Sequence, residues 1–214
     1  NANTRGATYH VTKTEGTLSV TNASAKYEVT LQAASGSATY DGTEHAATGV
    51  ITDTFTIDGK AFKVSGFTTQ DPRATDAGTY TNNITGTFSV ADPEGNDVTD
   101  QFSVKVQNGT LVIAPADVTL TSQSLTKAYD TNPLTNGDNP LAAESGWAAG
   151  EGASYTFSGS QTVPGSSANA FSYTLNANTR GATYHVTKTE GTFSGTNASA
   201  KYEVTLQAAA GSAT

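Results

Sequence analysis

Residues 1–39 of this chain return almost unchanged as residues 176–214, and that fact limits the fold more than composition does. Three positions differ: Leu18 against Phe193, Val20 against Gly195, and Ser35 against Ala210. Identity at polar as well as apolar positions is more than a shared fold requires, so the chain reads as a window on an array of copied units. A period of 175 residues is too long for one solenoid repeat and suits two small domains of roughly 80–100 residues each. The expected division is residues 26–115 as a first-type repeat and 116–200 as a second-type repeat. Residues 1–25 would then close a preceding second-type repeat, and residues 201–214 would open the next first-type one.

A weaker repeat inside the period supports this. Tyr40-Asp41 matches Tyr129-Asp130, and Val64-Ser65-Gly66 matches Phe157-Ser158-Gly159. Thr79-Tyr80-Thr81 matches Ser172-Tyr173-Thr174, and Asn108-Gly109-Thr110-Leu111 matches Glu190-Gly191-Thr192-Phe193. The order is kept while the gaps change by loop-sized amounts, so the array is a chain of doublets.

Period-two alternation dominates and helical periodicity is scarce. It marks strands at residues 27–33, 53–57, 62–67, 102–106 and 110–113, then at 117–123, 154–158, 171–175 and 183–189. The frequent threonines suit an exposed sheet face. Asp41-Gly42, Asp58-Gly59, Asn108-Gly109 and Asn136-Gly137 are dipeptides that tolerate positive φ and suit tight hairpins. Short strands with regular turn signals predict an antiparallel sandwich or barrel. Asp76-Ala77-Gly78-Thr79-Tyr80 has the spacing of a tyrosine corner, which favours an immunoglobulin-like sandwich over an ordinary turn before a strand. The expected fold is therefore all-β: tandem immunoglobulin-like antiparallel β-sandwiches arranged end to end, with a very short linker near Pro115. Trp147, the sole tryptophan, lies in a Gly- and Ala-rich stretch and is expected to plug a sandwich end or the junction rather than form a ligand platform.

Composition narrows the function. With no cysteine, there is neither a disulfide scaffold nor a thiolate metal site, and the compartment stays open. A net charge of −8 argues against nucleic acid or an anionic membrane as partner, because both need basic patches. No signal, anchor or membrane-inserting run occurs in the sequence.

The chain resembles bacterial cell-surface repeats of the YDG or MBG type, which are immunoglobulin-like. The resemblance rests on ATYDGTEH at residues 38–45 and TKAYDTNPLT at 126–135, with the repeat endings at 96–113 and 182–193. Thr131 stands where the motif has glycine. The resemblance implies a secreted, surface-anchored, extracellular protein whose many domains form a stalk, often beneath an adhesive tip. It brings no catalytic or ligand residues with it.

The residues offer little reactive chemistry, and the chain is expected to be no enzyme, with no catalytic, cofactor-binding or metal residues and no cofactor. His10 and His185 are copies on a strand, and His45 sits beside the YDG turn. Exposed or hydrogen-bonded roles account for them. The run Asp92-Pro93-Glu94-Gly95-Asn96-Asp97 with Asp100 gathers oxygen ligands that calcium prefers, but it misses the spacing of the helix-flanked calcium loop, and a hairpin in which Asp and Asn cap their own turns explains it better. A self-formed crosslink would be a Lys–Asn isopeptide through Lys26, Lys105 or Lys127, or a Thr–Gln ester; the simpler explanation of the lysines is exposed strand positions that discourage edge pairing. Asn22, Asn83, Asn108 and Asn197 stand in Asn-x-Ser/Thr patterns, which carry glycans only in a eukaryotic secretory host.

Two functions of different class remain. One is a stalk segment whose partners are adjacent repeats of the same polypeptide, any host-surface ligand being met by other domains. The other is a repeated low-affinity module for a host receptor or glycan, acting through avidity. A binding face should expose clustered aromatics, whereas a spacer should bury them. Tyr9, Val11 and Leu18 would leave a half-core uncovered, so residues 1–25 are expected to share the backbone of 176–200 beneath a cover from outside this chain.

Overall fold

The computed structural model describes residues 12–22 and 25–208 and is all-β. Alternation in sequence becomes alternation in burial. In Tyr27–Gln32, Val29 and Leu31 are buried while Glu28 and Thr30 face solvent. In Ala116–Thr121, Ala116, Val118 and Leu120 are buried. The only helical elements among the described residues are single 3-10 turns at Thr99–Gln101 and Gly181–Thr183.

The first repeat runs β1 (Tyr27–Gln32), β2 (Gly36–Thr39), β3 (His45–Ala46), β4 (Thr54–Ile57) and β5 (Lys60–Thr69). It continues with β6 (Arg73–Ala74), β7 (Gly78–Asn82), β8 (Ile84–Ala91), β9 (Phe102–Gln107) and β10 (Gly109–Ala114). Pro115 alone separates β10 from β11 (Ala116–Thr121). There follow β12 (Leu125–Ala128), β13 (Leu134–Thr135), β14 (Ala143–Ser145) and β15 (Ala153–Phe157). The second repeat ends with β16 (Ser160–Gln161), β17 (Gly165–Asn169), β18 (Phe171–Leu175), β19 (Tyr184–Thr189) and β20 (Gly191–Thr196).

These strands gather into two compact units. One takes the described residues up to Gln32, then Val50–Thr68 and Thr85–Gln107. It holds the β1–β9 pair and the sheet β4-β5-β8. Its core is Val29, Leu31, Val64, Val90 and Phe102. The Phe102 ring lies 5.7 Å from that of Tyr27 and 5.1 Å from that of Phe62. The other unit takes Ala33–Gly49, Thr69–Ile84 and the chain from Asn108 on. It contains the sheets β2-β10-β7, β14-β11-β19 and β12-β20-β17, with the pairs β3–β6, β13–β16 and β15–β18. Its core joins Tyr40, Ala47, Leu111 and Ile113 to Ala116, Val118, Leu120, Phe171 and Tyr184.

The second repeat copies the pairing pattern of the first. β11 pairs with β19 as β1 does with β9, and β20 lies between β12 and β17 as β10 lies between β2 and β7. Two of the expected landmarks correspond differently from the sequence match. Asn82 faces Gly109 across β7–β10, and Asn169 faces Gly191 across β17–β20. Thr79-Tyr80-Thr81 therefore answers to Ser166-Ser167-Ala168, and Tyr173 lies on the following strand. Likewise Gln70 and Ser158 donate backbone N–H groups to the equivalent carbonyls of Asn83 and Ala170, so Val64-Ser65-Gly66 does not match Phe157-Ser158-Gly159. Small and β-branched strand residues recur too often for such triplets to fix register.

A purely antiparallel arrangement is also corrected. Hairpin neighbours such as β4–β5 are antiparallel, but β1–β9, β2–β10, β11–β19 and β12–β20 are parallel. A parallel pair needs a long crossover, and the rest of each repeat supplies it.

Turn chemistry explains two further details. Gly42 has φ 81° and Thr131, at the same point of the second repeat, has φ 75°. The second repeat keeps the turn with a β-branched residue in a region that strongly disfavours one. Asn108-Gly109, in contrast, makes no hairpin, because β9 and β10 run on from one another and are not paired. Glycine is needed there for space: a Cβ at Gly109 would run into the Ala34 carbonyl oxygen, and one at Gly191 into that of Gln123.

The end segments behave unlike their copies. Residues 201–208 repeat 26–33 letter for letter, yet they carry no strand. Val204 and Leu206 are 80% and 92% exposed, against 6% and 0% for Val29 and Leu31. Residues 12–22 are also strand-free, with Leu18 96% exposed, whereas their copies lie in β19 and β20. The expected shared backbone therefore fails over residues 12–22; Tyr9 and Val11 lie outside the described residues. Strand formation here depends on distant partners, because β20 is held between β12 and β17.

Candidate functional site

The residues singled out from sequence take up local bonds. His45 Nε2 lies 3.1 Å from Asp41 Oδ1, and the exposed His185 lies 3.4 Å from Asp117; His10 is outside the described residues. Asp92 accepts the backbone N–H groups of Glu94 and Asn96 and the Asn96 side-chain amide. The Asn96 amide first, with backbone N–H groups of the same turn, holds its carboxyl below the usual range. Asp97 accepts from the Thr99 hydroxyl and N–H. Asp92 and Asp97 thus cap their own turns, as the hairpin explanation of this run expects. Lys105 pairs with Glu28 at 2.7 Å, Lys127 with Asp130 at 2.9 Å, and Lys26 is exposed. Among the sequon asparagines, Asn22, Asn108 and Asn197 are exposed and Asn83 is half-buried.

The expected tyrosine corner is formed: the Tyr80 hydroxyl donates to the Asp76 carbonyl at 3.0 Å. Asp76 also receives the Arg180 guanidinium on its carboxylate. Arg180 in turn donates its backbone N–H to Glu151 at 3.1 Å.

Glu151 is the centre of a connected polar group among the described residues. Tyr40 donates to its Oε1 at 2.5 Å and Tyr184 to its Oε2 at 2.9 Å. The tyrosine rings meet edge to face at 5.2 Å. Trp147 packs on Tyr184 at 4.8 Å and donates its indole N–H to Glu144 at 2.9 Å; Tyr155 donates to the same Glu144 oxygen. The Tyr184 oxygen accepts the Ala148 N–H at 2.9 Å. Position follows from local structure: the YDG turn after β2 places Tyr40, whose N–H bonds the Ala114 carbonyl. β19 opens on Tyr184, and a turn closed by the Glu151 N–H on the Ala148 carbonyl places Glu151.

Burial, then the hydrogen bond and charge of Glu151, push the Tyr40 hydroxyl up to about 12. Burial raises Tyr184 too, even though the Ala148 N–H works against it. At Glu151, burial pushes upward, but the bonds from Tyr40, Arg180 and Tyr184 outweigh it and leave the carboxyl lowered. Phenols held neutral around a charged carboxylate are firm donors and poor bases. The arrangement therefore fastens the YDG turn of the first repeat to β19 and the 148–151 turn of the second, and it has no nucleophile or metal set.

A second set of polar residues is fully buried. Asn82 donates to the carbonyls of Ala34 and Gly49 and accepts the Asp71 N–H. Asn169 donates to the Gln123 carbonyl and to Asn136, which occupies the place of Ala47. Sequence reading missed Glu151, Arg180 and these asparagines. An inward-facing Asn at the end of an alternating strand, and a lone acid in the Gly-rich run 149–153, were the available signals.

Comparison of the chain with family models, with curated proteins and with solved structures returns no match.

Proposed function

We propose that the chain is a segment of a structural stalk on a bacterial surface protein, built from immunoglobulin-like sandwiches of the YDG type placed end to end. The division is the one read from sequence, 26–115 and 116–200, and the stalk would project an adhesive or other tip from the cell. The observation that carries the reading is the near-exact recurrence of residues 1–39 as 176–214. In a spacer, length comes from copy number and no copy needs a site of its own.

Two features support it. The buried aromatics Tyr40, Phe102, Phe171, Tyr184 and Phe193 are spent inside, Trp147 packs on Tyr184, and the exposed Tyr27, Tyr173 and Tyr202 are far apart in the chain. The Tyr40–Glu151–Tyr184 group would stiffen the step from one repeat to the next. Neither feature is required of a module that acts by avidity.

Surface plasmon resonance of chains with one and three doublets, over immobilised glycans and matrix proteins, separates the two functions. A spacer gives no gain in retention with copy number. A binding module gives retention that climbs steeply from one doublet to three.

A further inference from the structure

We infer that the second repeat is built to bear tension along the chain, its first and last strands forming one parallel seam loaded in shear. This rests on the stalk reading for its purpose but not for its mechanics.

The chain enters the repeat at Ala116, the first residue of β11, and leaves at Thr196, the last of β20. β11 runs parallel to β19 from Ala116–Tyr184 to Thr121–Thr189, and β12 runs parallel to β20 from Leu125–Phe193 to Ala128–Thr196. The separation in sequence between partners is the same throughout, so no register slips where one ladder gives way to the other. Pulling the two ends drags β11–β12 toward its N-terminus and β19–β20 toward its C-terminus. Parallel strands drawn in opposite directions slide along one another, and every cross-strand hydrogen bond takes load at once. Pulling across the same strands would instead open the bonds one after another.

The gap between the ladders is where such a seam would fail, and it is bridged. Ser122 donates its backbone N–H to the Thr189 carbonyl at 3.1 Å. Its buried hydroxyl accepts the Gly191 N–H at 2.9 Å and donates to the Asn169 carbonyl at 2.7 Å. Ser124 accepts the Thr192 N–H at 3.0 Å, and Asn169 holds the Gln123 carbonyl at 3.0 Å. Beyond β12, the Tyr129 N–H continues the series onto the Thr196 carbonyl. Gly191 lets the backbones approach closely enough for these bonds. The first repeat repeats the device in part: β2 pairs in parallel with β10, Ser35 accepts the Thr110 N–H, and Gly109 gives the same close approach.

Single-molecule force spectroscopy tests this on one folded chain pulled in two directions. In the first, the full chain is held by its termini. In the second, Asp117→Cys and His185→Cys supply the handles; both positions are exposed ladder partners in a chain otherwise without cysteine. Equal thermal midpoints for the two proteins confirm that only the direction of load differs. Terminal pulling should unfold the second repeat in one sharp step, releasing the extended length of residues 116–196, about 270–290 Å. Pulling from residues 117 and 185 should open it at a several-fold lower force. Equal forces in the two directions, or a low terminal force with gradual lengthening, would overturn the shear seam. Either result leaves the stalk reading to stand or fall on its own test.

Discussion

Glu151 shows how much can rest on one carboxylate. It accepts from Tyr40, Tyr184 and the Arg180 N–H, and both tyrosines are buried. A charge-assisted bond to a buried donor contributes more than a neutral one, and the cost of removal falls on the donors left behind. Glu151→Gln should therefore destabilise the chain by about 1–3 kcal/mol in urea unfolding at pH 7. Because the folded carboxyl sits below its ordinary value of 4.5, the folded state binds that proton less tightly than the unfolded state. Its contribution is complete above pH 4.5 and disappears as pH falls through the lower folded value. The native chain should accordingly lose more stability between pH 7 and acid than Glu151→Gln does. The other lowered carboxyls, such as Asp92 and Asp130, are common to both proteins and cancel. Equal acid losses in the two chains would remove Glu151 from the account.

At the scale of elements, a strand here needs its distant partner. The stretch KYEVTLQA forms β1 at residues 26–33 and no strand at 201–208. Local preference is identical in the two places, and at 26–33 the parallel partner β9 lies alongside. A chain lengthened past Thr214 by another copy of residues 40–115 should slow amide hydrogen exchange in 201–208 to the rate seen in 26–33. Fast exchange there despite the added copy would show that β1 owes its strand to something other than β9.

This dependence on distant partners also marks what could be read from sequence. Alternation gave the nine expected strands their places, since burial follows the period of two directly. It carries no direction, so the four parallel ladders were invisible and an antiparallel sheet was expected. Asn108-Gly109 looked like a hairpin because turn statistics favour that dipeptide, whereas the glycine serves a close backbone crossing. The YDG turn was legible, even to the strained Thr131, but its tyrosine's role was not. Tyr40 and Glu151 stand 111 residues apart, and no spacing rule connects them.

On the scale of the whole molecule, a stalk of this kind gains length from added copies and nothing else. At ~3.3 Å per strand residue, a sandwich with its end loops spans roughly 35–45 Å, so a doublet in line should add about 70–90 Å. Small-angle X-ray scattering of chains carrying one, two and three doublets measures this directly. A stalk gives a maximum dimension that rises by that same step with each doublet, while the cross-sectional radius stays constant. A maximum dimension that levels off while the cross-section thickens would mean that the repeats pack beside one another, and the stalk would be contradicted.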